Sequence, residues 1–474
     1  MTSEWNIPKT HAGTEWVAGL TAVPGLDPST ESATDPNQQV LFNNVNIFDG
    51  LNDGLKLRQN VLVQGNKIKT ISDAPIQVGA EATVIDGGGR TLMPGLIDCH
   101  VHLTIAENFG TIESDFTYGD VHLNAAVAAR HMFLDGFTSA RDVGGPAFPL
   151  KRAVDAGKFL GPRIYPSGAF ISQTAGHGDF RARNDPNPSL CNCSNAANFV
   201  RFGIGVSVDG RPNVLAATRQ NLMQGAAQIK IMAGGGGSSK YDPIDVTQFT
   251  EDEMKAAVDA ADDWGTYVCA HIFTDKAIRR FVKAGGKSIE HGFFMSEDVV
   301  EMIAEKGLYV VPQMWGVSPE LFNNPLVPVE KHAAIHAMHE KYKMFAPWLL
   351  KYGVNVAFAS DLVGPVLDGI KARRYEMYWR TQAFGSNFEV LKQLTSTAGK
   401  LLSEAGPRDP YPGVKGVIEE GALADILVVD GNPLKDFSVL GANERWFTET
   451  QPPQPNHNLQ IIMKDGQIYK NTIQ

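Results

Sequence analysis

Across residues 91–405 the chain alternates short apolar runs with helical stretches, and this alternation constrains its fold more than any other feature. Strands joined by crossover helices pair in parallel, because a tight turn cannot bring the chain back alongside itself in the same direction. About eight such runs can be read, the number that closes a barrel. They are residues 92–99, 138–141, 163–165, 228–232, 267–270, 287–290, 308–311 and 355–359, with helical patterns between several of them, such as 251–264 and 296–306. The expected fold class is α/β, a (β/α)8 TIM-like barrel.

The flanks read differently. Short strands split by turn residues run through 40–42, 45–48, 61–63 and 68–71, and a matching pattern returns at 424–429 and 459–463. A β module divided between both ends implies a domain inserted between its halves. The expected organisation is an arm over 1–38, a small β-sandwich from 39–90 and 406–474, and the barrel over 91–405. The arm is rich in Thr, Ser, Pro and Gly and lacks periodicity, while Trp5 and Trp16 suggest that it packs on a neighbouring subunit.

With 474 residues, a formal charge of −10 and a pI near 5.7, the chain offers no basic face for nucleic acid. It contains no apolar run long enough to span a bilayer. Four cysteines cannot build a disulfide framework in a chain of this length, and the N-terminus lacks the pattern of a signal peptide, so a reducing cytoplasm is expected. Cys191 and Cys193 read as two reduced loop thiols. The partner expected is a small-molecule substrate, with no nucleic acid and no membrane, in a homo-oligomer.

In such barrels chemistry collects at the C-terminal ends of strands. Those ends carry His100 and His102 (first), Lys230 (fourth), His271 (fifth), His291 (sixth) and Asp361 (eighth). Side chains alternate faces along a strand, so His100 and His102 point the same way. Four imidazoles and a carboxylate suffice for two divalent ions such as zinc. A lysine among them is repelled and desolvated, which favours the neutral amine. Such an amine can add carbon dioxide, and the resulting carbamate on Lys230 could bridge both ions; the alternative is a lysine snorkelling to solvent.

The His-x-His after a Pro-Gly-Leu-Ile-Asp strand, the interior lysine, the two later strand-end histidines and Ala359-Ser360-Asp361 together resemble the amidohydrolase superfamily. Ser172 to Asp179 and Ile229 to Ala233 resemble its branch of Xaa-Pro dipeptidases, ochratoxin-hydrolysing amidases and imidazolonepropionase-like proteins. The resemblance implies that His100, His102 and Asp361 bind the more buried metal, that His271 and His291 bind the more exposed one, and that carbamylated Lys230 and a hydroxide bridge them. The hydroxide would attack a polarised carbonyl, and Asp361 would carry its proton to the leaving amine. His177, between two glycines after the third strand, would touch the substrate or its oxyanion, unless it is a loop imidazole satisfied by backbone. Tyr241 is positioned for a substrate hydroxyl contact, and Lys240 or Arg141 for pairing with a carboxylate.

The expected activity is hydrolysis of an amide-type C–N bond in small N-acyl compounds, by an amidase or dipeptidase. A pocket built from Phe170, Phe293, Phe294, Met295, Met314 and Trp315 would instead suit urea, carbamate or anilide xenobiotics on the same site. A non-catalytic scaffold is the remaining alternative, although such a chain would be expected to lose ligands that this one keeps. The run Gly234–Gly237 lacks the ending of a phosphate loop and reads as flexible backbone over the metal centre. His332, His336 and His339 share a helical face and read as solvated or subunit-contact residues.

Overall fold

The computed structural model describes residues 34–187, 197–319, 329–361, 363–445 and 452–473. Trp5, Trp16, Cys191 and Cys193 therefore lie outside the described residues. Among those described, no helix is long and apolar enough to cross a membrane.

The terminal β module is one hydrogen-bonded sheet of eight strands. Five come from its N-terminal half: β1 (Gln39–Ile47), β2 (Lys56–Gln64), β3 (Lys67–Ser72), β4 (Thr83–Asp86) and β5 (Thr91–Pro94). β1 pairs antiparallel with β2 in the register Val40↔Val63 and Phe42↔Val61, and the register shifts between Phe42 and Val45. Asn44 sits at that shift with a φ of 52°, a conformation that asparagine tolerates better than most residues. Val40, Phe42, Val45, Ile47, Val61 and Val63 are buried in the module's own apolar core. Each such side chain contributes about 1.5–3 kcal/mol by leaving water.

The barrel strands follow: β6 (Leu96–Val101), β7 (Phe137–Asp142), β8 (Arg163–Pro166), β9 (Phe170–Ser172), β10 (Gly205–Ser207), β11 (Ile229–Met232), β12 (Val268–Thr274), β13 (Ser288–Phe294), β14 (Tyr309–Val311) and β15 (Asn355–Val356). They pair in parallel as β6-β7-β8 and β10-β9-β11-β12-β13-β14-β15. Backbone bonds from Cys99 N to Phe358 O (2.8 Å) and from Asp361 N to His100 O (2.9 Å) link the two ends of the series. β16 (Ile426–Val429), β17 (Leu459–Lys464) and β18 (Gln467–Asn471) return to the terminal sheet, where β16 pairs antiparallel with β5.

Two details depart from the sequence reading. The first apolar run, read as one strand over 92–99, is broken at Gly95, so that β5 belongs to the terminal sheet and β6 to the barrel. Only glycine fits there, since a Cβ would lie 2.0 Å from Thr138 Oγ1. The third strand is likewise divided: β8 pairs with β7, whereas β9 pairs with β11.

The helices between strands bury one face each. In Glu251–Asp263 the Thr250 and Glu253 side chains form a reciprocal capping box, and Met254, Ala257 and Ala261 turn inward. Met254 and Ala261 join the large core that also holds Ile229, Ile231, Ile272 and Ile289. That core fixes the strand ends, and with them the side chains at the barrel mouth.

Candidate metal centre

Six side chains converge at the C-terminal ends of the barrel strands. His100 closes β6 and His102 follows it; their Nε2 atoms lie 3.2 and 3.4 Å from Asp361 Oδ1. Lys230, on β11 and 1% exposed, places Nζ 3.4 Å from His100 Nε2. His271 ends one wall on β12, with its ring 4.4 Å from that of His291 on β13. Ligand atoms of His100, His291 and Asp361 all fall within 4.8 Å of one another, a His/Asp cluster able to hold a metal ion.

Each imidazole is oriented by the nitrogen it does not aim inward. His100 Nδ1 lies 2.8 Å from Glu290 Oε2, His102 Nδ1 3.1 Å from Gly144 O, and His291 Nδ1 2.6 Å from Gln313 Oε1. With Nδ1–H donating to oxygen, Nε2 keeps its lone pair in all three. His271 is turned the other way: its Nε2 lies 3.0 Å from Gly235 O, which leaves Nδ1 as the basic nitrogen. His291 Nε2 is buried and has no hydrogen-bond partner in the structure.

Burial favours the neutral form of three of these rings. Desolvation lowers His102, takes His271 well below the ordinary histidine range and brings His291 down to about 3. Burial also lowers Lys230 and so favours the free amine. For Asp361 burial opposes ionisation, but the imidazoles of His100 and His102 outweigh it and hold the carboxyl well below its usual value. His291 and Asp361 have φ of 71° and 44°, left-handed conformations that cost energy in residues other than glycine and cluster at functional sites.

His177 sits beside this group with its ring stacked 4.0 Å from that of His271. Its Nδ1 is 2.6 Å from Ser239 Oγ and 3.7 Å from Asp242 Oδ2, and its backbone N–H donates to Gln248 Oε1. Burial pushes it down to about 3. The glycine run packs on this ring, since a Cβ at Gly236 would lie 2.1 Å from it. The run is pinned rather than loose: Asp242 accepts from Gly236 N–H, and the buried Lys331 ammonium donates to Gly236 O and Ser239 O.

Other expectations are corrected by the geometry. Arg141 was expected to reach a substrate carboxylate, but its guanidinium is fully buried below the site and donates to both oxygens of Glu290 at 2.7–2.8 Å. Lys240 and Tyr241 lie in a neighbouring groove and do not line the cavity above the centre. Phe170, Phe293 and Trp315 line that cavity, of about 220 Å³, whereas Phe294, Met295 and Met314 do not. His339 Nδ1 donates to Val317 O, and His336 is exposed on its helix.

Sequence reasoning missed Glu290, Gln313, Ser239, Asp242 and Lys331. Glu290 precedes His291, so strict alternation would send it to the opposite face. The positive φ at His291 breaks that alternation, and both side chains serve the same site. Burial suppresses the ionisation of Glu290, but Arg141 outweighs it and holds the group as a carboxylate.

Comparison with known proteins identifies the family. Residues 91–468 match the Amidohydrolase family. The chain is 30% identical over 450 residues to an ochratoxinase of Aspergillus niger, covering 90% of this chain and 86% of that protein. Among solved structures it is similar to a prolidase complexed with N-methylphosphonate-L-proline (TM-score 0.80, 33% identity, 92% of this chain and all of that one). It is also similar to a Xaa-Pro dipeptidase with bound methionine in its active site (TM-score 0.75, 28% identity, again 92% of this chain and all of that one). A strand-end His/Asp cluster in a parallel barrel, with a family match spanning that barrel, places this chain in the amidohydrolase family.

Proposed function

We propose that this chain is a binuclear metal-dependent hydrolase that cleaves an amide-type C–N bond in small N-acyl compounds. The observation that carries the proposal is the convergence of four imidazoles, one carboxylate and one buried amine, with His291 Nε2 orphaned in the interior. A buried polar atom without a partner is costly, and a divalent ion would satisfy it. The donor set fits borderline ions such as zinc. His100, His102 and Asp361 would hold one ion, His271 and His291 the second, and a carbamate on Lys230 would join them. When bound, such ions lower the pKa of water and polarise a carbonyl.

The chain's own residues supply the rest. Asp361, held ionised, accepts a proton from the attacking water and returns it to the leaving amine. Gln313 Nε2 fixes the carboxylate by donating to Oδ2 at 3.1 Å. His177, with Ser239 Oγ–H donating to Nδ1, keeps its proton on Nε2 for the oxyanion that forms at the carbonyl. The relatives named for ochratoxin and for Xaa-Pro substrates support C–N hydrolysis as the reaction class. A second reading, hydrolysis of urea, carbamate or anilide compounds, is favoured by the aromatic lining of the cavity.

The test is removal and replacement. Chelation should abolish amide hydrolysis, and zinc, manganese or cobalt should restore it. Lys230→Ala should lose at least about 100-fold in turnover, with partial rescue by short carboxylic acids that stand in for the carbamate. Full activity of Lys230→Ala would exclude the bridge.

A further inference from the structure

The cavity above the centre is walled by aromatic rings on two opposite sides. Phe109 and Phe180, after the first and third barrel strands, stack at 4.9 Å. Phe273 and Phe293, at the ends of the fifth and sixth, lie 6.2 Å apart, and Trp315 follows the seventh. In an eight-stranded barrel the ends of strands one and three face those of five to seven across the mouth. Groups on both sides of a scissile bond at the centre therefore meet aromatic surface.

Apart from Lys230, none of the described cations around the mouth lines the cavity. Arg141 is locked to Glu290. Arg181 pairs with Asp179. Arg183 and Lys240 lie over the Tyr241 ring, at 4.9 and 5.6 Å from its centroid. Lys331 holds the glycine run. Among the described residues lining the cavity, Lys230 is the one Lys or Arg. The stretches outside the described residues contain one more, Lys9.

We infer that the substrate is an uncharged amide with an aromatic group on each side of the C–N bond, an aryl or aralkyl amide whose leaving amine lacks a carboxylate. This rests on the amide-hydrolase reading above and narrows it. A carboxylate on the leaving amine would be buried against phenylalanine and tryptophan with no guanidinium or ammonium to receive it. Sites that select carboxylates provide such a partner.

The test uses the metal-reconstituted full chain and two substrates that differ only by that carboxylate, N-benzoyl-2-phenylethylamine and N-benzoyl-L-phenylalanine. The neutral compound should have a kcat/KM at least about tenfold higher. In Phe180→Arg, a guanidinium on the wall should raise kcat/KM for the carboxylate substrate and narrow the ratio. Equal or better hydrolysis of N-benzoyl-L-phenylalanine by the unaltered chain overturns the inference, as does an unchanged ratio in a folded Phe180→Arg. If neither compound is cleaved while dipeptides are, the inference falls and the amide-hydrolase reading stands. If no amide of any kind is cleaved, that reading falls as well.

Discussion

The single residue on which the centre most depends without belonging to it is Glu290. It is fully buried, accepts from one terminal nitrogen of the Arg141 guanidinium through both carboxylate oxygens and orients His100 through Nδ1. Glu290→Gln removes the charge that compensates Arg141 and turns one of the two accepting oxygens into an NH2 donor, which must then face Arg141 or the His100 Nδ1–H. Breaking a buried pair from one side costs about 3–5 kcal/mol, and losing such a support for a ligand weakens metal affinity about 10- to 100-fold. Urea unfolding and competition with a chelator should show both losses; unchanged metal affinity would mean that His100 needs no support from Glu290. At this scale the sequence was legible where strand alternation holds, as for His100 and His102, whose Nε2 atoms meet on one oxygen of Asp361. It was illegible at Glu290, because the positive φ at the next residue, His291, breaks the alternation from which its face would be counted. Arg141 was misplaced for a related reason: a strand position tells that a residue faces inward, not how far below the mouth it sits.

Among the elements, the helix Tyr118–Leu134 carries a pH-dependent contribution to stability. Burial pushes His131 in its last turn down to about 4. The folded value lies below that of the unfolded chain, so as pH falls through about 6.5 the unfolded state binds the proton first. The contribution is therefore complete above about pH 6.5 and lost as pH falls toward 4, with a slope of up to about 1.4 kcal/mol per unit. His131→Gln should flatten the fall in unfolding free energy between pH 6.5 and 4.5; an unaltered slope would show that this imidazole titrates normally. Element types were readable from period, since apolar runs became parallel strands and the 251–264 pattern became a capped helix. The breaks at Gly95 and within the third strand were not, because what divides them is a neighbour: Thr138 packed on Gly95, and a change of pairing partner between β8 and β9.

For the whole molecule, the split terminal sheet is tied to the barrel by charge as well as by apolar contact. Arg163, on β8, donates to Asp425 at 2.9 Å and to Asp465 at 2.9 Å, joining a barrel strand to the residue before β16 and to the turn between β17 and β18. Burial opposes the charge on Arg163, but these two carboxylates outweigh it and raise its pKa. Arg163→Leu leaves Asp425 buried without its partner and should cost about 3–5 kcal/mol, read as a lower urea midpoint. A midpoint shift below about 1 kcal/mol equivalent would indicate that apolar packing alone holds the two parts together. The joining of both termini into one sheet was legible because matching strand patterns flank the barrel. The ion pairs across the junction were not, since their members are hundreds of residues apart in sequence.

The binuclear centre is tested most directly by the metal content of the purified chain. Elemental mass spectrometry after zinc reconstitution and removal of excess ion should give about two equivalents per chain, falling in His100→Ala and His291→Ala. A folded, amide-hydrolysing protein that holds no metal, or that keeps full metal content and turnover in both variants, would contradict it.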